Sequence, residues 1–322
     1  MRSPAFWQED GVAARLLAPA GWAYGALGAL RWWRARPADV GIPVICVGNA
    51  TVGGTGKTPI VLDLLTRLRR RGIDAHGLCR GHLGRLRGPV RVEPDRHTAH
   101  DVGDEALLLA AVAPSWAARD RRAGARAARA AGARAIVLDD GLQYPHLAKT
   151  ASLLVIDGAT GFGNGRIVPA GPMREPCSRA CDRADIAVLV GGGGERISLP
   201  AHLTPPWRCR LRPAPASPEL GGRRVLAFAG IGRPAKFFDT VAGLGADIAG
   251  TRAFPDHHAF SPTSCAALAR DAERLGAVLV TTRKDAVRLP ESIRAKVSVI
   301  DIEVAWDDEQ RLEAWLGAVS GQ

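Results

Sequence analysis

The stretch VGNATVGGTGKTP, residues 47–59, constrains this chain more than any other. An apolar run, PVICV at 43–47, leads into it, and a helical pattern begins at Lys57. Gly53, Gly54 and Gly56 let the backbone turn its N–H groups inward around an anion. The start of a helix adds partial positive charge at the same place. Lys57 can reach the β- and γ-phosphates of a nucleotide, and the Thr58 hydroxyl can ligate Mg²⁺. Pro59 falls in the first helical turn, where a missing N–H leaves nothing unpaired. The strict phosphate-loop pattern asks for Gly at position 51, and Thr51 stands there instead. The expectation is an ATP-binding loop formed by Thr51, Val52, Gly53, Gly54, Thr55, Gly56, Lys57 and Thr58. Its plain alternative is a Gly-rich turn that holds nothing.

A second stretch, AIVLDDGLQ at 135–143, ends four apolar residues on Asp139 and Asp140. Carboxylates at the carboxyl end of a buried strand come to lie beside such a loop. With Thr58, they are the expected metal ligands, one holding Mg²⁺ or its water and the other orienting a neighbour. Taken alone, Asp-Asp-Gly also reads as a strand-ending turn.

The remaining pattern sets the fold class. Short Val/Ile/Leu-rich runs at 43–47, 75–79, 135–138, 153–156, 186–190, 225–229, 278–281 and 297–302 read as strands buried on both faces. Helical patterns at 57–71, 104–113, 118–131, 236–244, 261–275 and 309–318 alternate with them. The expected fold is α/β: a P-loop NTPase-like, mostly parallel sheet with helices on both faces. Six prolines between 199 and 219 break the pattern, and a new strand–Gly–helix unit follows at VLAFAGIGRPAKFF. The expected division is a kinase-type domain over 1–206 and a smaller C-terminal α/β domain over 207–322.

The first 36 residues or so stand apart. Residues 16–30 carry no charge, but they fall short of the roughly 20 residues that a membrane span needs. Glu9 and Asp10 precede the apolar part, unlike a signal peptide. Phe6, Trp7, Trp22, Tyr24, Trp32 and Trp33 mark the segment, with Arg31, Arg34 and Arg36 at its end. Rings beside cations suit a helix lying in a membrane interface, and they equally suit a helix packed on the protein's own core. The net charge of +11, with 38 Arg among 43 basic residues, favours anionic partners. The six cysteines form no zinc-ribbon or disulfide framework, and a reducing compartment fits them best. Cys177 and Cys181 are an isolated pair, open to metal binding or to a role as neutral thiols.

A phosphate loop serves kinases, switches, synthetases and motors alike. No N-K-x-D base-recognition motif of the GTPase switches occurs. A switch-type ATPase leaves the N-terminal aromatics unexplained. A nucleic-acid ATPase finds support only in the charge, since the Arg residues are dispersed and no zinc finger or RNA-recognition motif is present.

The sequence resembles the tetraacyldisaccharide 4′-kinases of lipid A biosynthesis over nearly its whole length. The resemblance is carried by FW at 6–7, PVICVGNATVGGTGKTP at 43–59, RG at 80–81, VGDEALLLA at 102–110, LDDGLQ at 138–143, PAGPMREP at 169–176, FPDHHAF at 254–260 and TTRKDAVRL at 281–289. It implies transfer of the γ-phosphoryl of ATP to the 4′-hydroxyl of a tetraacylated disaccharide 1-phosphate, giving lipid IVA. It also implies Mg²⁺, an acylated lipid acceptor rather than a nucleic acid, and work at the cytoplasmic face of an inner membrane. Asp104 and His257 are the implied catalytic pair, together with Lys57. On its residue type alone, Asp104 also reads as a helix cap. Glu105, Gln143, Arg174 and Glu175 are expected to organise substrate or metal, while Lys284 and Asp285 are left between an ATP role, a domain contact and a solvated pair. The chain departs from the family's usual residues at His82, Ala106, Leu142 and Tyr144. Because His257 lies beyond the proline-rich stretch, the site is expected to draw on both domains and to close over its ligands.

Overall fold

A computed structural model describes residues 4–194 and 197–321 of the chain. The strands are, in chain order, β1 (Val44–Gly48), β2 (Ala75–Cys79), β3 (Val90–Arg91), β4 (Ser115–Ala117), β5 (Ala135–Asp139), β6 (Ala151–Asp157), β7 (Ile186–Val190), β8 (Trp207–Pro213), β9 (Arg224–Ala229), β10 (Asp247–Ala253), β11 (Val278–Thr282), β12 (Val297–Ile300) and β13 (Ile302–Trp306). Nine of them form one sheet in the order β13-β8-β7-β6-β1-β5-β2-β4-β3, and four form a second in the order β10-β9-β11-β12. The smaller sheet is wholly parallel. The larger is parallel except at its two edges, where β13 and β3 run antiparallel to their neighbours.

The apolar runs behave as strands covered on both sides should. In β1, Ile45 and Val47 enter one core with Ile60, Leu64 and Leu68 of helix Lys57–Arg70. Val44 and Cys46 enter the opposite core with Ile136, Leu138 and Ala125. β1 lies between β5 and β6, with Val44 beside Ile136 and Ile45 beside Ala151. From β1 the chain winds first to one side and then to the other, so the ends of β1, β5 and β6 open on one crevice.

Three sequence expectations need correction. The expected strand at 297–302 is two strands: β12 ends at Ile300 in the smaller sheet, and β13 begins at Ile302 in the larger one. The cut at 206/207 does not follow the sheets either, since β8 and β13 both extend the nine-stranded sheet from beyond it. The prolines disguised β8, whose WRCRLRP pattern buries Trp207 and Cys209 and exposes Arg208, Arg210 and Arg212. After β13, helix Glu309–Ser320 packs Leu312 and Leu316 into the core that holds helix Lys57–Arg70. Glu313 takes ion pairs from Arg67 of that helix and from Arg71 just past its end, both at 2.6 Å. The expected helix at 118–131 starts later, at Arg121, where the Asp120 carboxylate accepts from the amides of Arg122 and Ala123.

The N-terminal segment (residues 1–3 lie outside the described part) forms a short 3₁₀ helix, Ala5–Trp7, and an α-helix, Val12–Trp33, with Pro19 inside it. Its inward stripe is small. Ala14, Ala18 and Gly21 are buried, and a Cβ at Gly21 or Gly25 would stand 2.8 Å from Ile167. The large apolar residues point away from the protein: Leu16, Trp22, Leu27 and Trp33 are 76%, 70%, 68% and 81% exposed. The helix packs through small residues and presents large ones outward. No described helix is long and apolar enough to cross a membrane.

Because the last helix completes the core beneath the phosphate loop, Leu316→Ala should destabilise the larger unit. The expected loss is about 3 kcal/mol, typical of a buried Leu truncation. Urea unfolding followed by a probe in the larger unit tests this, and an unchanged midpoint would contradict the assignment.

Candidate active site

β1 ends at Gly48, and the next residues are fixed by a neighbouring segment. The Val52 amide donates to the Pro172 carbonyl, and the Arg174 amide donates to the Ala50 carbonyl, each at 2.7 Å. Thr51 and Met173 thus pair as an antiparallel bridge. The Thr51 carbonyl accepts from the buried Asn49 side chain at 2.8 Å. Thr51 and Val52 therefore form the wall of the loop, and the Val52 amide is already engaged. Beyond them, the amides of Gly53, Gly54, Thr55 and Gly56 meet no acceptor among the described residues. The Thr55 hydroxyl is likewise buried and unpartnered there. Unpaired inward donors at a helix start are what an anion needs. Gly56 has φ +89°, and a Cβ on it would stand 3.2 Å from Leu211 and Val190, so conformation and space both call for glycine.

Lys57 points into the crevice. Its Nζ donates to Asn49 Oδ1 at 3.0 Å and lies 3.6 Å from Asp140 Oδ1. The two aspartates at the end of β5 have different environments. Burial works to raise Asp140, but Lys57 and Arg174 outweigh it and hold the carboxyl down at about 2. Arg174 Nη1 reaches both oxygens of Asp140, at 3.0 and 2.8 Å. Asp139 accepts from the Thr58 hydroxyl at 3.1 Å. Burial and the nearby Glu105 charge push it up to about 8, against the pull of Lys57. Burial also raises Glu105. Gln143 donates to the Asn49 carbonyl and to Glu175, both at 2.9 Å, and Glu175 pairs with Arg183. The guanidinium of Arg183 in turn covers the Trp32 ring of the N-terminal helix at 4.2 Å.

Asp104 opens helix Asp104–Ala110, and its Oδ1 accepts from the Glu105 amide at 2.9 Å. Its Oδ2 lies 2.9 Å from His257 Nδ1. His257 follows β10 of the smaller sheet, so the two sheets meet in this pair. Lys284 Nζ stands 3.3 Å from His257 Nε2. Donation there assigns the imidazole proton to Nδ1, pointing at Asp104. Burial acts to raise Asp104, but the His257 hydrogen bond and the Lys284 and Arg288 charges overcome it and lower the pKa. The pair therefore keeps Asp104 ionised and oriented, rather than making it more basic.

The two residues the sequence left open separate clearly. Lys284 faces the pair, whereas Asp285 is fully buried and accepts from the Gly230 amide, Thr282 and Arg288 at 2.9, 2.6 and 2.7 Å. At the positions that depart from the family, Leu142 and Ala106 fill the core. Tyr144 donates to Asp120 at 2.6 Å, and His82 meets the His257 ring edge-on at 5.6 Å. The Cys177 and Cys181 sulfurs are 3.9 Å apart, and no third metal ligand joins them among the described residues. Asn49, Arg183, Arg233 and Arg288 were missed from sequence. Asn49 could have been noticed from its place at the strand end. Arg233 gave no signal, because its partners lie 179 and 76 residues away.

The family model for tetraacyldisaccharide-1-P 4′-kinase (LpxK) matches residues 13–320. A tetraacyldisaccharide 4′-kinase of Rhodospirillum centenum is 53% identical over 98% of this chain and 96% of its own. That of Rhodospirillum rubrum is 48% identical over 98% and 96%. Among solved structures, LpxK from Aquifex aeolicus in complex with ATP shares the fold, with a TM-score of 0.75 at 24% identity, over 95% of this chain and 99% of that one. A family match across almost the whole chain, with about one residue in two shared with these relatives, means that the chain belongs to the tetraacyldisaccharide-1-phosphate 4′-kinase family.

Proposed function

We propose that this protein transfers the γ-phosphoryl group of ATP to the 4′-hydroxyl of a tetraacyldisaccharide 1-phosphate, the lipid IVA-forming step of lipid A biosynthesis, at the cytoplasmic face of an inner membrane. The reading is supported by the Asp104–His257 pair, by a loop of unpaired amides at 53–56, and by Glu105, which lies beside Asp104 and within charge range of both Lys57 and Lys284.

The amides of residues 53–58 and Lys57 bind the triphosphate. An all-oxygen set of Asp139, the Thr58 hydroxyl and Glu105 suits Mg²⁺, which takes one or two carboxylates plus phosphate oxygens. Burial and neighbouring carboxylate charges raise both Asp139 and Glu105, an effect a divalent cation between them would offset, so the residues present fit the ion. Bound there, Mg²⁺ would neutralise charge on the β- and γ-phosphates. Asp140 is already neutralised by Lys57 and Arg174, so we assign it the task of holding them in place. Asp104 accepts a hydrogen bond from the acceptor hydroxyl and takes its proton as the phosphoryl group arrives. His257 and Lys284 keep that carboxylate ionised and aimed. Little covalent work is asked of the protein, since phosphoryl transfer is mostly positioning and charge neutralisation.

The outward Leu16, Trp22, Leu27 and Trp33, followed by Arg31, Arg34 and Arg36, form an apolar surface with a cationic border. Such a face enters the headgroup region of an anionic bilayer, where an acylated acceptor resides. The experiment is incubation with labelled ATP and the disaccharide 1-phosphate. A bis-phosphorylated lipid is expected, and ATP hydrolysis without it would turn the reading toward a switch.

Two further outcomes are expected. Asp104→Ala or His257→Ala should lower kcat by about 10²–10⁴ while ATP affinity stays within a few-fold. Steady-state kinetics beside nucleotide titration would reveal this, and parental turnover in either variant discards the pair. Leu16→Ser together with Trp22→Ser and Trp33→Ser should weaken co-sedimentation with anionic vesicles by at least about tenfold, since each large apolar side chain buried contributes about 1.5–3 kcal/mol. Undiminished vesicle binding by the folded triple variant would remove the helix from the membrane.

A further inference from the structure

Arg233 lies in the loop between β9 and helix Pro234–Gly243, on the unit built around the smaller sheet. Its Nη2 nevertheless reaches the larger sheet. It donates to the Gly54 carbonyl at 2.9 Å and to Asp157 Oδ2 at 2.6 Å. Asp157 is a firm mount. It ends β6 and is 5% exposed, and its other oxygen accepts from the amides of Ala159 and Thr160 and from the Thr160 hydroxyl.

The Gly54 contact has a geometric consequence for the next residue. In a planar trans peptide, the C=O and the following N–H point in opposite directions. With the Gly54 oxygen tied to Arg233, the Thr55 N–H is turned away from Arg233. That amide meets no acceptor among the described residues, and the Thr55 hydroxyl is buried and equally unpartnered. The peptide between Gly54 and Thr55 needs such a tie, because glycine gives it little orientation of its own.

We propose that Arg233 is a positioning residue for ATP: it reaches across from the smaller unit and holds the Gly54–Thr55 peptide so that the Thr55 amide faces the triphosphate. The inference rests on residues 53–58 being the phosphate cradle. Arg233 therefore links the posture of the smaller unit, which carries His257, to the shape of the cradle. A preorganised donor acts on nucleotide binding before the transfer step, so the effect falls on the ATP KM.

The test measures phosphorylated-lipid formation by the full-length protein with Arg233→Met and Arg233→Lys, alongside Lys57→Met in ATP titrations and with melting temperatures recorded. The charged hydrogen bond lost in Arg233→Met should raise the ATP KM about tenfold, with the acceptor KM and kcat changed less than about threefold. Arg233→Lys, which keeps charge and donors on a shorter stem, should fall between parent and Arg233→Met. If Arg233→Met melts early, the lysine variant carries the comparison. An ATP KM within about twofold of the parent in a folded variant overturns the proposal, as does a fall confined to kcat. If Lys57→Met also binds ATP like the parent, the cradle itself has been misread. If Lys57→Met loses ATP while the Arg233 variants keep it, only the role of Arg233 falls.

Discussion

The side chain of Lys57 is only 11% exposed, and a cation so far from water must be compensated by its surroundings. Asn49 supplies a carbonyl oxygen and Asp140 a carboxylate. Asp140 then needs its own support, which comes from Arg174. Arg174 is in place because residues 172–174 pair with 50–52 as a short antiparallel ribbon. Satisfying one buried ammonium thus draws together the ends of two strands and a distant loop. The same arrangement gives Asp140 two cationic partners while burial and the Glu105 charge dominate at Asp139, so two adjacent aspartates are driven in opposite directions.

The ribbon and its neighbours also connect the site to the N-terminal helix. Gln143 ties Asn49 to Glu175, Glu175 pairs with Arg183, and Arg183 covers Trp32. The helix that offers its apolar side chains outward therefore shares a polar chain of contacts with the phosphate loop. Its small inward residues let it lie flat on Ile167, in the segment just before that ribbon. Packing rather than propensity sustains this helix, since Pro19 sits within it and three glycines weaken it.

The two sheets also meet at the Asp104–His257 contact. His257 adopts φ +57° and Asp140 φ +54°, a left-handed region that few non-glycine residues enter. Such conformations persist where surrounding contacts hold them, and both residues belong to the charged centre. The His257 amide donates to the Gly230 carbonyl at 3.1 Å, and Arg288 donates to the same carbonyl at 2.9 Å. The smaller unit thereby presents its imidazole on a braced turn, and Arg233 sends a second contact across to the larger sheet from the loop between β9 and the next helix.

What the sequence determined by itself was local. Eight apolar runs, the loop at 47–59 and the Asp139-Asp140 turn were legible because burial on both faces and phosphate chemistry each leave a short-range pattern. Motif resemblance brought Asp104 and His257 together before any coordinates did. Strands at or next to a sheet edge, such as β10 and β8, were not legible, since an exposed face admits Arg, Gly and Pro and blurs the pattern. Only the tertiary structure separated β12 from β13 and gave the chain's last helix to the larger core. It alone distinguished Asp139 from Asp140, engaged the Val52 amide elsewhere, and brought Arg233 to Gly54. The physical reason is common to all of these: each depends on partners far away along the chain, and a hydrogen bond or ion pair across that separation leaves no periodic trace in the sequence.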